Sequence, residues 1–188
     1  MFNKISDVKS VNKAQVVRPL TEINERECVA RLAAVVPPKG LIVEIGTLYG
    51  GMTAVLGLAN KKASIITIDD FSWHPADDVP SSEELVLANM ESVGVHNVKV
   101  IKGDSRVIGK TWTEPIDLIF IDGGHSFDWV YPDLCNFAPH AKVVALHDYG
   151  NAFWMTIRQA VDQFMGDNPE WEVSEVVGTV AVLRRKPI

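Results

Sequence analysis

Three short segments carry most of the residues that could do chemistry. Val43-Glu44-Ile45-Gly46-Thr47-Leu48-Tyr49-Gly50-Gly51 joins one acid to three glycines directly after an apolar run. Gly46 allows a tight turn, and Gly50 and Gly51 let a ligand approach the backbone closely at a helix start. The spacing is not the G-x-G-x-x-G that cradles a pyrophosphate. Glu44, two residues before the first glycine, would also repel a diphosphate, so the segment suits a cationic, amine-bearing ligand. Ile121-Asp122-Gly123-Gly124-His125 and Leu146-His147-Asp148-Tyr149 bring two acids and two imidazoles to the ends of two further apolar runs. Asp69 ends another and is placed to accept both hydroxyls of a ribose. Glu44, Asp69, Asp104, Asp122 and Asp148 thus stand at or just after successive β runs. One or two acids there would mark exposed strand ends; five in a Val/Ile/Leu-rich sheet read as a lined cleft.

The elements that must hold these residues follow from periodicity. Thr21 opens a helical pattern with Glu22 and Glu25 in its first turn, where the helix dipole favours acid. Val29, Leu32, Ala33 and Val36 form its apolar stripe, and Pro37, Pro38 and Gly40 end it. Leu41 to Ile45, Ser64 to Ile68, Val98 to Ile101, Ile116 to Ile121 and Val143 to Leu146 read as short strands. Helices are expected over Gly51 to Asn60, from Ser81 to Gly94 with Ser81 and Glu84 as a capping box, over Trp129 to Phe137 with a bend at Pro132, and over Phe153 to Met165. Phe71 to Pro80 has no period and reads as a loop. Trp171 to Val177 and Thr179 to Leu183 alternate around Gly178, as an antiparallel pair does.

This order predicts an α/β fold: a Rossmann-like, doubly wound, mostly parallel seven-stranded sheet closed by an antiparallel C-terminal strand pair. Parallel strands covered on both faces are continuously apolar, as these are. In such sheets ligands bind beyond the carboxyl ends of the strands. Residues 1–20 read as an N-terminal arm and 21–188 as one domain, within the size of a single core. The composition, 47% apolar and 22% charged, is that of a soluble globular protein. The net charge of −6 argues against a nucleic-acid surface. The sequence has no apolar run of about 18 or more residues for a membrane span and no secretory h-region. Cys28 and Cys135 lie far apart and read as two buried thiols in a reducing cytoplasm rather than as a disulfide.

The E-I-G-x-x-x-G-G segment, the acidic end of the second strand and the Gly103-Asp104-Ser105 turn resemble those of class I S-adenosylmethionine (SAM)-dependent methyltransferases. The D-G-G-H and H-D-Y segments resemble more narrowly a small-molecule O-methyltransferase branch with catechol, macrolide-sugar and cephalosporin-tailoring members. The likeness spans residues 20 to 183. It implies that Glu44 and the loop Gly46, Thr47, Leu48, Tyr49, Gly50 hold the methionine part of SAM, that Asp69 binds the ribose, and that Asp104 and Ser105 lie against the adenine. Met52 stands where relatives carry Ser, and Thr53 beside it is the candidate to replace the lost hydroxyl.

The resemblance also implies chemistry. Methyl transfer from a sulfonium to oxygen is an in-line displacement that needs alignment and an activated hydroxyl. In metal-using relatives, an acid after the fourth strand and two adjacent ligands after the fifth hold a divalent ion that lowers the hydroxyl pKa. These correspond to Asp122, His147 and Asp148, with His125 as the base. His147 departs from the carboxylate usual at its position. Either the metal is one that favours imidazole, or His147 acts as a base, or no metal is used. The implied acceptor is a small hydroxylated molecule. A short arm and loop suggest a large acceptor, an open cleft, or a homodimer meeting through Phe153 and Trp154. The competing readings are a non-catalytic SAM-fold binding protein or partner subunit, against which Asp122, His125 and Asp148 are retained, and a nicotinamide oxidoreductase, against which the dinucleotide glycine spacing is missing. A nucleic-acid methyltransferase is disfavoured by charge and by the lack of an N/D-P-P-Y-type tetrapeptide.

Overall fold

Short Val/Ile/Leu runs punctuated by glycine and acid build the sheet, and the amphipathic segments between them cover it. A computed structural model describes residues 20–76 and 78–187 together with 13, 14 and 17. Most of the expected arm, 1–20, therefore lies outside the described residues. In chain order the elements are α1 (Ile23–Ala34), β1 (Leu41–Ile45), α2 (Gly51–Ala59), β2 (Ser64–Asp69), α3 (Glu83–Val93), β3 (Val98–Lys102), α4 (Ser105–Gly109), β4 (Ile116–Ile121), α5 (Phe127–Phe137), β5 (Ala141–Leu146), α6 (Met155–Asp167), β6 (Trp171–Val177) and β7 (Val180–Arg185).

The seven strands form one sheet in the order β3-β2-β1-β4-β5-β7-β6. The first five are parallel, and β7 is antiparallel to both β5 and β6. The strand order reverses between β1 and β4, which opens a crevice at their carboxyl ends. Register then decides the site. Ile45 lies opposite both Ile68 and Ile121, and Ile121 lies opposite Leu146. The next residues, Gly46, Asp69, Asp122 and His147, therefore leave the sheet at one level. On one face α1, α2 and α3 pack through Val29, Leu32, Leu56 and Met90; on the other α5 and α6 pack through Leu134, Phe137, Val161 and Phe164. Truncating a fully buried ring such as Phe137 to alanine would cost about 3–5 kcal/mol.

Several boundaries differ from expectation for local reasons. Glu22, not Thr21, caps α1, because Glu22 and Glu25 satisfy each other's backbone N–H groups as a capping box. Ser82, not Ser81, caps α3 by accepting from the Leu85 N–H, while Ser81 donates to the Trp73 carbonyl. The five-residue α4 is too short to show a period; Asp104 caps it through the Arg106 N–H. Pro132 sits inside α5, which runs unbroken to Phe137 although Pro132 has no N–H to donate. A 3-10 turn, Ala152–Trp154, precedes α6, so Phe153 is not helical in the α sense. Both cysteines are free thiols; Cys28 is buried, but Cys135 is only half-buried. Among the described residues no helix is long and apolar enough to cross a membrane.

Candidate active site

The crevice above β1 and β4 is a cavity of about 640 Å³, within the range of small-molecule sites. Its floor is the β1–α2 loop. Gly46 has φ +89°, and a side chain there would drive its Cβ to within 2.0 Å of the Asp122 carbonyl oxygen. Only glycine lets the ends of β1 and β4 meet so closely. Thr47, Leu48, Tyr49, Gly51 and Met52 line the cavity. Gly50, at φ +85°, is absent from that lining; its open side faces Met90 and Val86 of α3. The Tyr49 hydroxyl donates to the Val79 carbonyl, 2.9 Å away, tying this loop to the segment after β2.

Asp69 is the second anchor of the loop. Its Oδ2 accepts the backbone N–H of Thr47 and of Leu48 at 2.8 Å each, and its Oδ1 accepts that of Phe71 at 2.7 Å. An ionised carboxylate has about four acceptor positions, so Asp69 retains room for one further donor. Asp70 lines the same cavity and accepts the Ser72 N–H at 2.9 Å.

Glu44 is 0% exposed and does not line the cavity. Its Oε2 accepts the hydroxyls of Thr53 and Thr67, each at 2.5 Å, and its Oε1 is buried without a partner among the described residues. Burial pushes its pKa up to about 8, against the lowering effect of the two hydroxyls. Thr53 therefore serves Glu44 and does not replace the hydroxyl missing at Met52, which itself lines the cavity.

On the β3 side, Asp104 and Ser105 line the cavity. The Asp104 carboxylate grips the Arg106 side chain at 2.7 and 3.0 Å, and the Arg106 guanidinium lies 3.5 Å from the centre of the Trp129 ring. Trp129 forms a wall, and Gly124 lets it close in: a Cβ on Gly124 would meet the Trp129 ring at 2.4 Å. The bond from Arg106 holds the Asp104 carboxyl below the usual range.

At the opposite end Asp122, His125, His147 and Asp148 converge. His125 Nε2 is 3.5 Å from Asp148 Oδ2 and 3.7 Å from Asp122 Oδ1. One ligand atom each from Asp122, His125 and Asp148 lie within 4.8 Å of one another. His147 Nδ1 is 3.1 Å from Asp122 Oδ1 and 3.4 Å from Asp148 Oδ2, yet makes no aligned hydrogen bond among the described residues. Its Nε2 lies 3.1 Å from Oε2 of Glu25 on α1. Burial opposes a charged His147, but Asp122 and Asp148 outweigh it and push its pKa up to about 11. Asp148 adopts a left-handed φ of +61°, a strain of about 1–3 kcal/mol. Asn151 holds it there by donating its side-chain amide to Oδ1 at 2.8 Å and its backbone N–H to the Asp148 carbonyl.

A family model for a methyltransferase domain matches residues 43–149, more than half of the 188-residue chain. The chain belongs to this methyltransferase family. No curated protein matches it by sequence. Among solved structures, the O-methyltransferase NovP superposes with a TM-score of 0.74 at 18% identity, over 90% of this chain and 82% of its own. A SAH-bound Podospora anserina methyltransferase gives 0.67 at 18% identity, over 100% and 89%. TomG of Streptomyces achromogenes, an O-methyltransferase solved with SAM, gives 0.67 at 16% identity, over 100% and 91%. Likeness at this identity is a likeness of fold.

The methyltransferase cavity gathers most of the residues singled out in the sequence: Gly46, Thr47, Tyr49, Asp69, Asp104, Ser105, Asp122, His125, His147 and Asp148 all line it. Glu44 and Gly50 stand behind its floor. Trp73 and Trp129 also line the cavity, and Tyr131 donates to Asp167 on α6. Trp154 lines the rim with its ring 5.0 Å from that of His125, and its neighbour Phe153 is 90% exposed. Sequence reading missed Glu25, Asp70, Leu20 and Thr21 as parts of the site. A Glu in a first helical turn looks like an ordinary dipole partner, and nothing local announces that it reaches β5.

Proposed function

We propose that this domain transfers the methyl group of SAM to a hydroxyl of a small molecule. One observation carries the reading: a single cavity is lined by the glycine loop and Asp69 and, next to that loop, by His125 with Asp122 and Asp148. Gly46, Thr47 and Tyr49 would hold the methionine portion, with Gly50 and Glu44 bracing the loop from behind. Asp69, with Asp70 beside it, would take the ribose hydroxyls. Asp104, Ser105 and the Trp129 wall would flank the adenine. The cavity volume and the acids facing a ligand with a sulfonium and an ammonium group fit this cofactor.

His125 would accept the acceptor's proton as the methyl group moves, with the two carboxylates stabilising the imidazolium that forms. Asp122, His147 and Asp148 would hold a divalent ion, and the fit rests on the buried His147 Nδ1 facing both carboxylates without an aligned hydrogen bond. When bound, such an ion lowers the pKa of the acceptor hydroxyl. The two free thiols suit a reducing cytoplasm.

The test is SAH release over a panel of hydroxylated acceptors, with and without chelator, for the wild type and His125→Asn. The variant is expected to lower kcat by about 10²–10⁴-fold while SAM affinity stays within about twofold. Unchanged kcat would remove His125 from the role of base. Methyl transfer that appears only on amine acceptors would remove the hydroxyl.

A further inference from the structure

Glu25 is 3% exposed although it belongs to the first turn of α1. Its carboxylate joins three parts of the chain. Oε1 accepts the backbone N–H and the hydroxyl of Thr179, in the β6–β7 turn, at 2.7 and 2.8 Å. Oε2 accepts the Glu22 N–H at 2.9 Å and lies 3.1 Å from His147 Nε2. Gly178 makes room for this contact: a Cβ there would come within 2.6 Å of Oε1. With both its oxygens serving donors, the carboxylate has a proton to receive from His147 Nε2 and none to give.

That hydrogen bond fixes the tautomer. With Nε2 held as a donor to Glu25, an ion binding between Asp122 and Asp148 displaces the proton those carboxylates favour on Nδ1 and meets its lone pair. Nδ1 is the atom that faces Asp122 Oδ1 at 3.1 Å and Asp148 Oδ2 at 3.4 Å, buried and without an aligned hydrogen bond. A carboxylate that orients a ligating histidine through its other nitrogen is a recurrent outer-shell device at metal centres. One imidazole and two carboxylates suit Mn, Fe, Co, Ni or Zn, whereas Mg prefers an all-oxygen set.

We infer that Glu25 is a positioning residue that presents His147 Nδ1 to the space shared with Asp122 and Asp148, and that this makes the site selective for a transition-metal ion over Mg²⁺. The inference rests on the reading of Asp122, His147 and Asp148 as the metal-holding set.

The test titrates chelator-treated protein with Co²⁺, Zn²⁺, Mn²⁺ and Mg²⁺ by calorimetry and records the visible spectrum of bound Co²⁺. Wild type is expected to bind Co²⁺ and Zn²⁺ at least about 100-fold more tightly than Mg²⁺. Glu25→Gln is expected to weaken Co²⁺ about 10–100-fold and to shift its spectrum. His147→Asp is expected to weaken Co²⁺ and strengthen Mg²⁺; it decides the preference even if the Glu25 variant does not fold. Mg²⁺ binding as tight as Co²⁺ in the wild type overturns the selectivity, and unchanged Co²⁺ affinity in a folded Glu25→Gln overturns the positioning role while leaving the metal set standing. Failure of all four ions to bind the wild type overturns the metal set and this inference together.

Discussion

Replacing Glu44 by glutamine should make the protein more stable at neutral and alkaline pH. Glu44 is fully buried, with one oxygen bonded to Thr53 and Thr67 and the other without a partner among the described residues. Burial lifts its pKa from 4.5 to about 8. Between these values the unfolded chain has released the proton and the folded chain keeps it, so the folded state binds more protons and stability falls as pH rises. The penalty is absent below pH 4.5, grows through the interval, and is fully present above about pH 8. The interval corresponds to about 5 kcal/mol at ~1.36 kcal/mol per pH unit, a large share of the ~5–15 kcal/mol that holds a domain folded. Glutamine keeps the shape and cannot ionise, so it escapes this slope. Urea unfolding of both proteins from pH 4.5 to 8.5 measures the difference directly. The curves should nearly meet at the acid end and separate by up to about 5 kcal/mol at the alkaline end, with the glutamine variant above. Parallel curves, or a wild type that gains on the variant as pH rises, would refute the burial argument.

Other substitutions probe the supports of the site. Glu25→Ala removes a buried carboxylate and strands the Thr179, Glu22 and His147 donors; urea unfolding at pH 7 should show a loss of about 3–5 kcal/mol. Gly46→Ala forces a Cβ against the Asp122 carbonyl and into a left-handed φ, so little folded protein should be recovered, and what folds should show no SAM response in calorimetry. Arg106→Ala gives up the Asp104 pair and the stack on Trp129; at a third-exposed site this should cost only about 1 kcal/mol, read from the urea midpoint.

The strands were readable because parallel strands are apolar on both faces and end abruptly: Leu41–Ile45 and Ile116–Ile121 are bounded by Gly40 and Gly46 and by Pro115 and Asp122, and both fall where expected. Register, which is not in any one segment, is what converts four separate strand ends into one site. Caps slipped by one residue at Thr21 and Ser81 because adjacent capping residues compete, and three-dimensional partners decide between them. The chemistry-bearing side chains were legible by type but not by direction. Glu44 and Thr53 turn to each other beneath the loop, Asp69 fastens the loop as well as facing the cavity, and Glu25 joins the site from α1 through contacts more than 100 residues away in the chain. Such long-range pairings leave no local periodicity to read.

The most direct measurement is calorimetric titration of the purified protein with SAM, with SAH and with NAD⁺, each followed by thermal unfolding at a hundred times the measured dissociation constant. The account predicts that SAM and SAH bind and stabilise by about 2.7 kcal/mol, that Asp69→Ala weakens both, and that NAD⁺ does neither. Silence towards SAM and SAH, or a preference for NAD⁺, would contradict it.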